Sequence, residues 1–598
     1  MTETNPSKKG ITPGAIVIIL VGVLLFLIPS ILIPFHTKGE PREALVALSM
    51  LQHDNYILAY TNGTDIAYKP PFFHWCIVFF SSLLNGGLVN EWTSRMPSVF
   101  FSIVMGVFMF RALTKRFKEV DARLALLTIL VCFTTVEWSR AAWACRVDMV
   151  NSALMVINIF LLHGLCIANR IHSAGRTCFE VLLLSLTLAA GFLTKGPVSI
   201  VLPVGICGLI LLLGYYAVPK VLIKRLALLI IPALIGSALA LCWYAAAMQQ
   251  GGDRFFDLVM DENVRRFLGK MTYSSHNEPF YYNLITLIAG VLPYTVLLIA
   301  SLFTVQWKRI RKSSSQKTSV SSWVGRISQR CRCADDINPL ALVSLILILV
   351  FYTIPSSKRS VYLLPMYPFI SFYVAKLIVY LCDTHRKYIK GYSWFLTVVA
   401  ALLLLTPPLI HFGIIPENMF GGKHAAENKL VLQTIGQMSW SYWLLVLLLL
   451  LGFFYTAFRK TYLSVAIITG TIMTGVYSCI LPQVLSLKSD KVVAEDLSNL
   501  ISKDALLYEY RAEFEPKNRL HYFTVNFYLG GRMTPFGEPD MEHQVKQQPC
   551  GFVLMPADDA DKFIQHYPKT FLHKVKDFNR RSCDDKKDMV LYRFSQIR

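Results

Sequence analysis

Lys69-Pro70-Pro71 has the residue types and the spacing for work on a phosphate at a membrane surface. The two prolines force an extended backbone, which fixes the lysine relative to the residues that follow it. Those residues, 72–75, read Phe-Phe-His-Trp, and such aromatic groups are typical of the headgroup level of a bilayer. A segment rich in carboxylates, 39–43, precedes them. A carboxylate, a lysine and an aromatic wedge together predict an enzyme that acts on a lipid phosphate.

A set of cationic side chains is predicted to bind the phosphate or pyrophosphate of a substrate. These residues lie near the ends of apolar segments, and they are Lys69, Lys195, Lys358 and Arg359. Charges at such positions in a membrane are costly unless they are paired or functional. Two alternatives stay open: Lys195 can be a snorkelling lysine, and Lys358 with Arg359 can be interface anchors.

Acidic residues near the same ends suit a general base or a clamp on sugar hydroxyls. They are Glu40, Glu43 and Asp148. Glu40 and Glu43 are three residues apart, so they share a face if 40–52 is helical. The alternatives are that Asp148 only pairs with Arg146 or Arg140, and that Glu43 is solvated on a helix surface.

The composition places these residues in a membrane protein. Of the 598 residues, 54% are hydrophobic and 16% are charged, and the mean hydropathy is +0.47. A soluble chain carries about 25% charged residues. The net charge of +21 sits largely in short loops between apolar runs, where Lys and Arg set the orientation of spans. We therefore expect no binding of nucleic acid.

Repeated apolar runs predict a polytopic α-helical membrane protein with about thirteen spans. The first run, 11–33, follows Lys8 and Lys9 and lacks a small-residue cleavage site, so it predicts an anchor with a cytoplasmic N-terminus. The other spans are predicted near 94–113, 121–138, 149–168, 178–194, 197–216, 226–247, 280–306, 339–355, 360–382, 392–412, 440–458 and 462–482.

Segment 72–88 is about long enough to cross the membrane, and its assignment decides the orientation of everything after it. If it does not cross, every strongly basic loop, from 111–118 to 459–460, falls in the cytoplasm. Basic loops prefer that side of the membrane. We therefore predict an interfacial or re-entrant helix on the outer face at 72–88. The cationic and acidic residues named above then all lie at the outer face.

The chain is predicted to divide into a transmembrane module, 1–487, and a small extracytoplasmic α/β domain, 488–598. Within the module, 34–93 is the first extracytoplasmic loop with interfacial helices, and 307–338 is a basic, Ser-rich cytoplasmic loop that we expect to be disordered. The domain prediction rests on strand-like stretches at 520–529, 551–555 and 588–594 and on helix-like stretches at 491–502 and 557–567. The only cysteines of the domain, Cys550 and Cys583, can pair outside the cytoplasm.

A series of motifs follows in order over residues 11–370. They are Gly39-Glu-Pro-Arg-Glu-Ala, Tyr68-Lys-Pro-Pro, Arg95-Met-Pro-Ser, Arg146-Val-Asp, Thr194-Lys-Gly-Pro, Glu262-Asn-Val-Arg-Arg-Phe, His276-Asn-Glu-Pro and Lys358-Arg-Ser-Val-Tyr-Leu-Leu-Pro. This series resembles the GT-C glycosyltransferases that use polyprenyl-phosphate sugars. The protein-mannosyltransferase-related group and the lipid A aminoarabinose transferases (ArnT) are the most similar groups. The later segments match in architecture only.

The resemblance implies an inverting glycosyltransferase of the bacterial inner membrane with a periplasmic C-terminal domain. The donor is implied to be an undecaprenyl-phosphate-like sugar, and the acceptor a lipid of lipid A or LPS type, a glycan or a protein. By position, Glu40 and Asp148 are implied to be catalytic, and Lys69, Lys195 and Arg359 to bind the donor phosphate, with Lys358 beside them. The residues implied to bind substrate are Arg42, Glu43, Tyr68, Arg146, Glu262, Arg265, His276 and Tyr362.

The chain departs from the family pattern at two positions. Gly39 stands where the family has an aspartate, so either Glu40 takes its role or the acceptor needs no base, as holds for a lipid phosphate. Tyr68 stands where the aminoarabinose enzymes have a glutamate that helps to hold a metal. His276 is then the remaining plausible ligand, so we predict no metal site and leave a divalent metal cofactor open.

Two other functions are kept as alternatives. A transporter or flippase of a lipid-linked sugar predicts inverted repeats and charges near mid-membrane, whereas this sequence has no evident repeat and its charges cluster at one face. A catalytically inactive scaffold would explain the loss of the acid at Gly39 but leaves Lys69, Lys195 and Arg359 without a role.

Overall fold

The computed structural model describes residues 12–61, 65–67, 69–168, 174–265, 277–302, 320–419, 425–437, 439–459, 462–514, 522–536 and 550–596. Within these ranges, nine helices are long and apolar enough to cross a membrane. The number rises to 13 if each of four bent helix pairs is one span. The chain is a multi-pass membrane protein, as its sequence predicts, and the predicted span count agrees with the upper figure.

The helices of the first half are, in chain order, α1 (Pro13–Leu32), α2 (Gly39–His53), α3 (Phe72–Asn85), α4 (Glu91–Arg116), α5 (Ala122–Phe133), α6 (Val136–Ala142), α7 (Val147–Cys166), α8 (Ala174–Lys195), α9 (Val198–Tyr215), α10 (Pro219–Arg265), α11 (Tyr282–Gly290) and α12 (Tyr294–Leu302). A two-residue strand, β1 (Tyr60–Thr61), pairs with β2 (Asp65–Ile66) in the first loop. The pairs α5–α6 and α11–α12 are bent by 73° and 106°.

The helices of the second half are α13 (Val320–Arg332), α14 (Ile337–Thr353), α15 (Ser360–Thr384), α16 (Arg386–His411), α17 (Ala425–Gly436), α18 (Trp440–Arg459), α19 (Ser464–Lys488), α20 (Lys491–Leu500), α21 (Phe523–Tyr528) and α22 (Ala560–His566). The strands are β3 (Leu507–Glu509), β4 (Thr534–Pro535), β5 (Cys550–Met555), β6 (Thr570–Arg581) and β7 (Asp588–Gln596).

Helix α3 agrees with the prediction that segment 72–88 does not cross the membrane. It has 14 residues and is therefore about 21 Å long, short of the ~30 Å hydrocarbon core. The helix begins after Pro71 because Pro70 and Pro71 hold the preceding chain extended. It ends at Gly86, whose φ of 59° is left-handed and suits a residue without a side chain.

Helix α7 lies at the centre of the bundle and is buried on nearly every face. It packs against α4, α8 and α9. Its polar side chains are satisfied by those neighbours: Asn151 accepts a hydrogen bond from Ser199 at 2.5 Å, and Asn158 accepts one from Thr187 at 2.7 Å. Buried amides with such partners carry little net penalty, so α7 gives a rigid base for Asp148 at its first turn.

The prediction of a disordered loop at 307–338 is wrong for its second part, since 320–332 forms α13. The side chains of Ser328 and Arg332 donate hydrogen bonds to the carbonyl oxygen of Gly214 in α9, the first at 2.9 Å. Cys331 is buried against the same helix. Basic composition alone misleads here because the carbonyl groups at a helix end offer acceptors that order a cationic segment. Residues 307–319 lie outside the described residues.

The C-terminal sheet has the strand order β4-β3-β5-β7-β6. Strand β3 pairs in parallel with β4 and β5, whereas β7 pairs antiparallel with β5 and β6. The strands predicted at 551–555 and 588–594 are confirmed, and so are the helices predicted near 491–502 and 557–567. The division of the chain at 488 stays a prediction.

In this region the strand prediction for 520–529 is wrong, and the pairing of Cys550 with Cys583 that the sequence left open does not occur. The strand-like stretch 520–529 contains helix α21, because Phe527 packs against Phe35 and Asp584 accepts hydrogen bonds from the backbone and the side chain of Thr524. Cys550 and Cys583 do not form a disulfide: both thiols are free, the first exposed on β5 and the second buried between β6 and β7.

Candidate functional site

Segments that are distant in the chain meet at one end of the bundle, at the beginnings of α2, α4 and α7 and the end of α8. Asp148 stands in the first turn of α7, and Lys195 is the last residue of α8. Lys358 and Arg359 immediately precede α15, and Tyr362 lies in its first turn, at the same end of the bundle. The structure therefore brings most of the residues predicted from the sequence to one end of the bundle. Their contacts show that they have different surroundings.

Glu40 is fastened by a fully buried arginine. The Nε of Arg95 donates to Oε2 of Glu40 at 2.7 Å, and Nη2 donates to Oε1 at 3.2 Å. The backbone N–H of Cys145 donates to Oε2 at 3.0 Å. Burial by itself raises the pKa of Glu40, but the guanidinium of Arg95 holds it below its ordinary value. Both oxygens of Glu40 are thus occupied, which makes this carboxylate a weak base.

Arg95 itself joins several elements. Its Nη1 donates to the carbonyl oxygens of Ser30, at 3.1 Å, and of Ile33, and its guanidinium lies 5.0 Å from the ring centre of Phe35. Arg95 is 0% exposed. We call Glu40, Arg95 and the N–H of Cys145 the strut, because they connect α1, α2, α4 and the start of α7.

Asp148 forms a second ion pair, with Lys195 at 2.5 Å. The Nε of Arg146 lies 3.9 Å from its other oxygen, and Arg359 adds positive charge nearby. The Nζ of Lys195 also stands 4.3 Å from the ring centre of Tyr362, a distance suited to a cation–π contact. We call Arg146, Asp148, Lys195, Arg359 and Tyr362 the cationic cluster, since its positive groups outnumber its carboxylate.

Arg146 occupies the space beside Gly39. A Cβ atom built on Gly39 would overlap Nη1 of Arg146. Gly39 is therefore needed because it has no side chain and leaves room for Arg146. Its backbone conformation is one that other residues can adopt. An aspartate at position 39 is incompatible with this placement of the guanidinium. Arg146, the residue before α7, thus fills the space that a side chain at position 39 would need.

Glu43 is buried, so the alternative that it is solvated is wrong. It shares a hydrogen bond with Nε2 of His74 at 2.9 Å and accepts another from Arg42 at 3.2 Å. Burial by itself raises the pKa of Glu43, but the hydrogen bond from His74 and the charge of Arg42 bring it down to about 2. These contacts attach α2 to α3.

Lys69 and the end of α10 face each other. The Nζ of Lys69 lies 3.4 Å from Oε2 of Glu262, and both side chains are largely buried. Arg265 donates to Asp261 at 2.8 Å on the same turn. The predicted donor-phosphate lysine is therefore held next to a carboxylate, as Lys195 is. Tyr68 and His276, which were predicted to bind substrate, lie outside the described residues.

The neighbours Lys358 and Arg359 have different surroundings. Lys358 is 4% exposed and donates to the carbonyl oxygens of Glu278, at 3.0 Å, and Pro355, at 2.7 Å. These bonds hold residues 277–279 against 355–357, where Asn277 and Ser357 form an isolated β-bridge. Lys358 is thus engaged with the backbone, whereas Arg359 contributes its charge to the cationic cluster. Their roles as phosphate ligands stay predictions.

Three residues of this region received no role from the sequence: Arg95, His74 and Tyr528. Tyr528 comes from the C-terminal region, accepts a hydrogen bond from the N–H of Phe35 at 3.0 Å and donates one to Glu91 at 2.9 Å. Arg95 could have been found as a charge inside an apolar span. Tyr528 carried no such signal, because its partners are more than 400 positions away in the chain.

A cavity of about 730 Å³ lies at the other end of the bundle, next to the α4–α5 loop and the start of α16. Its lining contains none of the predicted site residues. The chemistry therefore has to be judged from the clusters described above. Together they offer fixed cations beside carboxylates at one end of a membrane bundle, an arrangement suited to binding a phosphate and stabilising its negative charge.

No family model matches the chain. An uncharacterized protein of Aquifex aeolicus (strain VF5) is 25% identical over 397 residues, covering 66% of this chain and 77% of that protein. The undecaprenyl phosphate-alpha-4-amino-4-deoxy-L-arabinose arabinosyl transferase of Pectobacterium carotovorum subsp. carotovorum (strain PC1) is 23% identical over 409 residues, covering 68% and 66%. The chain thus aligns with about two thirds of this transferase.

Two solved structures of ArnT from Cupriavidus metallidurans are similar over almost the whole chain. The form bound to undecaprenyl phosphate has a TM-score of 0.67 at 16% identity and covers 98% of both chains. The apo form has a TM-score of 0.67 at 17% identity and covers 97% of both. The fold that the motifs led us to expect is confirmed, since the chain has the fold of these ArnT structures.

Proposed function

We propose that this chain is a membrane glycosyltransferase that moves a sugar from a polyprenyl-phosphate donor to an acceptor. The observation that carries the proposal is the cationic cluster, in which Lys195, Arg146 and Arg359 surround Asp148. The fold adds support, since the ArnT structure with this fold is bound to undecaprenyl phosphate. The arabinosyl transferase relatives are named for an undecaprenyl-phosphate-linked sugar. The donor we propose is therefore of the undecaprenyl-phosphate class.

The proposed reaction is a single displacement. An acceptor oxygen attacks the anomeric carbon, the bond from that carbon to the phosphate oxygen breaks, and polyprenyl phosphate leaves with the electron pair. Configuration at the anomeric carbon inverts. The cluster cations stabilise the negative charge that grows on the leaving phosphate, an effect worth about 3–4 kcal/mol for one well-placed donor in other enzymes.

The carboxylates are poorly suited to remove a proton from the acceptor. Glu40 is occupied by Arg95 and Cys145, and Asp148 by Lys195. Arg146 stands where the family acid would be. Of the two possibilities raised by Gly39, these contacts favour an acceptor that needs no base because its attacking oxygen is already ionised. In this proposal Arg146 orients that oxygen, and Asp148 orients Lys195 and a sugar hydroxyl.

We further propose that the membrane is the bacterial inner membrane, with the cationic cluster at its periplasmic surface. The distribution of basic loops favours a cytoplasmic N-terminus and a periplasmic C-terminal domain at 488–598. The contacts of Tyr528 with Phe35 and Glu91 support one shared side, because they join the C-terminal region to the first loop. Labelling the exposed thiol of Cys550 in intact spheroplasts, with the other exposed cysteines replaced by serine, tests this orientation. Protection of Cys550 would contradict it.

The deciding experiment measures sugar transfer by the purified protein from a radiolabelled mixture of polyprenyl-phosphate sugars. We expect release of labelled sugar by the wild type and strong loss in Lys195→Met. Lys503→Met is the matched control, because Lys503 is an exposed lysine of the C-terminal region. Donor binding without release by the wild type would overturn the proposal in favour of an inactive scaffold. Movement of intact donor across a vesicle membrane would favour a flippase.

A further inference from the structure

A buried group of two carboxylates and one thiol lies in the C-terminal region, apart from the cationic cluster. Asp490 is 0%, Cys583 6% and Asp584 8% exposed. One ligand atom from each lies within 4.8 Å of the others. Among the described residues, no other set of three His, Cys, Asp or Glu side chains brings its ligand atoms so close together.

The group joins parts of the chain that are distant in sequence. Asp490 stands between α19 and α20, and its Oδ2 accepts hydrogen bonds from Oγ of Ser582 at 2.8 Å and from N–H of Cys583 at 2.9 Å. Asp584 follows on the β6–β7 loop and accepts hydrogen bonds from N–H and Oγ1 of Thr524, both at 2.8 Å. These bonds account for three of the four carboxylate oxygens.

The fourth oxygen, Oδ1 of Asp490, is buried and accepts no hydrogen bond within the described part of the chain. The Nη2 atom of Arg580 lies 3.9 Å from this oxygen. A buried carboxylate oxygen without a hydrogen bond is costly, and a second carboxylate beside it adds repulsion. The group thus combines two carboxylates and a thiol, with the guanidinium of Arg580 at its edge.

We propose that Asp490, Cys583 and Asp584 bind a divalent metal ion, with Zn²⁺ as the best fit. Thiolate is a poor ligand for Mg²⁺ and Ca²⁺, while the two carboxylates suit neither Cu⁺ nor an iron–sulfur cluster. Zn²⁺ accepts sulfur and oxygen ligands in tetrahedral sites, where ligand atoms are about 3.4 Å apart. The three atoms would therefore move inward by about 1 Å, and water would complete the coordination. Cys583 releases its thiol proton to solvent on binding.

The metal would fasten the end of the last membrane helix to the sheet and to α21. Asp490 follows Lys488, the last residue of α19, and Asp584 caps the helix that ends at Tyr528. Tyr528 in turn contacts Phe35 and Glu91 in the region of the first loop. The bound ion would thus stabilise the contact between the C-terminal region and the region of the first loop, where the strut lies. This inference is independent of the proposed transferase activity.

The test uses the full-length protein purified in detergent, stripped of metal and titrated with Zn²⁺ or Co²⁺. We expect one ion per chain by elemental analysis and, with Co²⁺, a thiolate-to-metal charge-transfer band in the near ultraviolet. Cys583→Ser should lose the band and weaken Zn²⁺ binding by at least about tenfold. Cys550→Ser, which changes the exposed thiol of the same region, should bind as the wild type does. No ion at equimolar Zn²⁺, or an unchanged band in Cys583→Ser, would overturn the proposal.

A second measurement guards against a variant that only misfolds. Zn²⁺ should raise the unfolding midpoint of the wild type and of Cys550→Ser, because an ion that binds only the folded state stabilises it. It should leave the midpoints of Asp490→Asn and Asp584→Asn unchanged, although both keep the size of the native side chain. An equal Zn²⁺-dependent shift in these variants would place the ion elsewhere and refute the assignment.

Discussion

The strut and the cationic cluster are built from the same kinds of residues at the same end of the bundle, yet they differ in what they leave accessible. In the strut, Arg95 is 0% exposed and both carboxylate oxygens of Glu40 accept hydrogen bonds from within the protein. In the cluster, the side chains of Lys195 and Arg146 are 12% and 21% exposed. A buried pair with all bonds filled supports structure, whereas a pair that keeps some exposure can exchange partners with a substrate.

The largest effect on stability is expected for a substitution of Glu40, the carboxylate of the strut. Replacement of Glu40 by Ala leaves Arg95 buried without its carboxylate, so we expect a loss of about 3–5 kcal/mol in the free energy of unfolding. Denaturation of the purified protein in detergent measures this, and Glu40→Gln with Arg95→Met together should recover part of the loss. A Glu40→Ala protein with wild-type stability and no transferase activity would move Glu40 from the strut into catalysis.

A substitution of Lys195 tests whether the cationic cluster acts on the substrate and contributes less than the strut to stability. Its ammonium is expected to stabilise the leaving phosphate, so Lys195→Met should lower kcat/KM by about 100-fold, equivalent to ~2.7 kcal/mol. The unfolding midpoint should change much less than in Glu40→Ala, because Asp148 keeps Arg146 nearby. Steady-state kinetics with the polyprenyl-phosphate sugar, beside Lys503→Met, checks both points. If stability falls as far as in Glu40→Ala, the cluster is structural too.

Glu43 is a buried carboxylate like Glu40, and its contribution to the stability of the fold can be tested through its dependence on pH. Its pKa of about 2 in the folded protein lies below the ordinary value of about 4.3 in the unfolded chain. The ionised carboxylate therefore stabilises the fold at every pH above about 4.3, and this contribution, about 2–3 kcal/mol, is lost as the pH falls from there towards 2. Unfolding measured between pH 6 and about 3 should show a steeper acid loss for the wild type than for Glu43→Gln. Parallel curves would mean that Glu43 is not held by His74 and Arg42.

A substitution of Gly39 is expected to have the smallest effect of the four. It tests directly whether the reaction needs a base at this position. Gly39→Asp has to displace the guanidinium of Arg146, so we expect transfer to fall about tenfold, or ~1.4 kcal/mol of barrier, with the fold preserved. Gly39→Ala serves as the steric control without a charge. A rise in activity in the aspartate variant alone would show that the reaction needs a base at this position and that the acceptor arrives protonated.

Much of the fold was readable from the sequence because membrane helices carry their own signal. Apolar runs of about 20 residues identify spans, and the charge of the loops separated the short helix α3 from a crossing segment. The C-terminal strands β5 and β7 were readable from alternating apolar residues. The helices α13 and α21 were not, because carbonyl groups of α9 and the carboxylate of Asp584 stabilise them from a distance.

By itself, the sequence determined that the chain spans a membrane many times, that its conspicuous charges gather near the ends of spans, and that their order resembles a family of sugar transferases. These properties follow from composition, period and order, which are local. Only the tertiary structure decided that Glu40 belongs to the strut and that Lys358 donates to backbone carbonyl oxygens. It also decided that Arg146 fills the space beside Gly39. Ion pairs such as Glu40 with Arg95 or Asp148 with Lys195 join residues 55 and 47 positions apart, and such pairing depends on how helices pack.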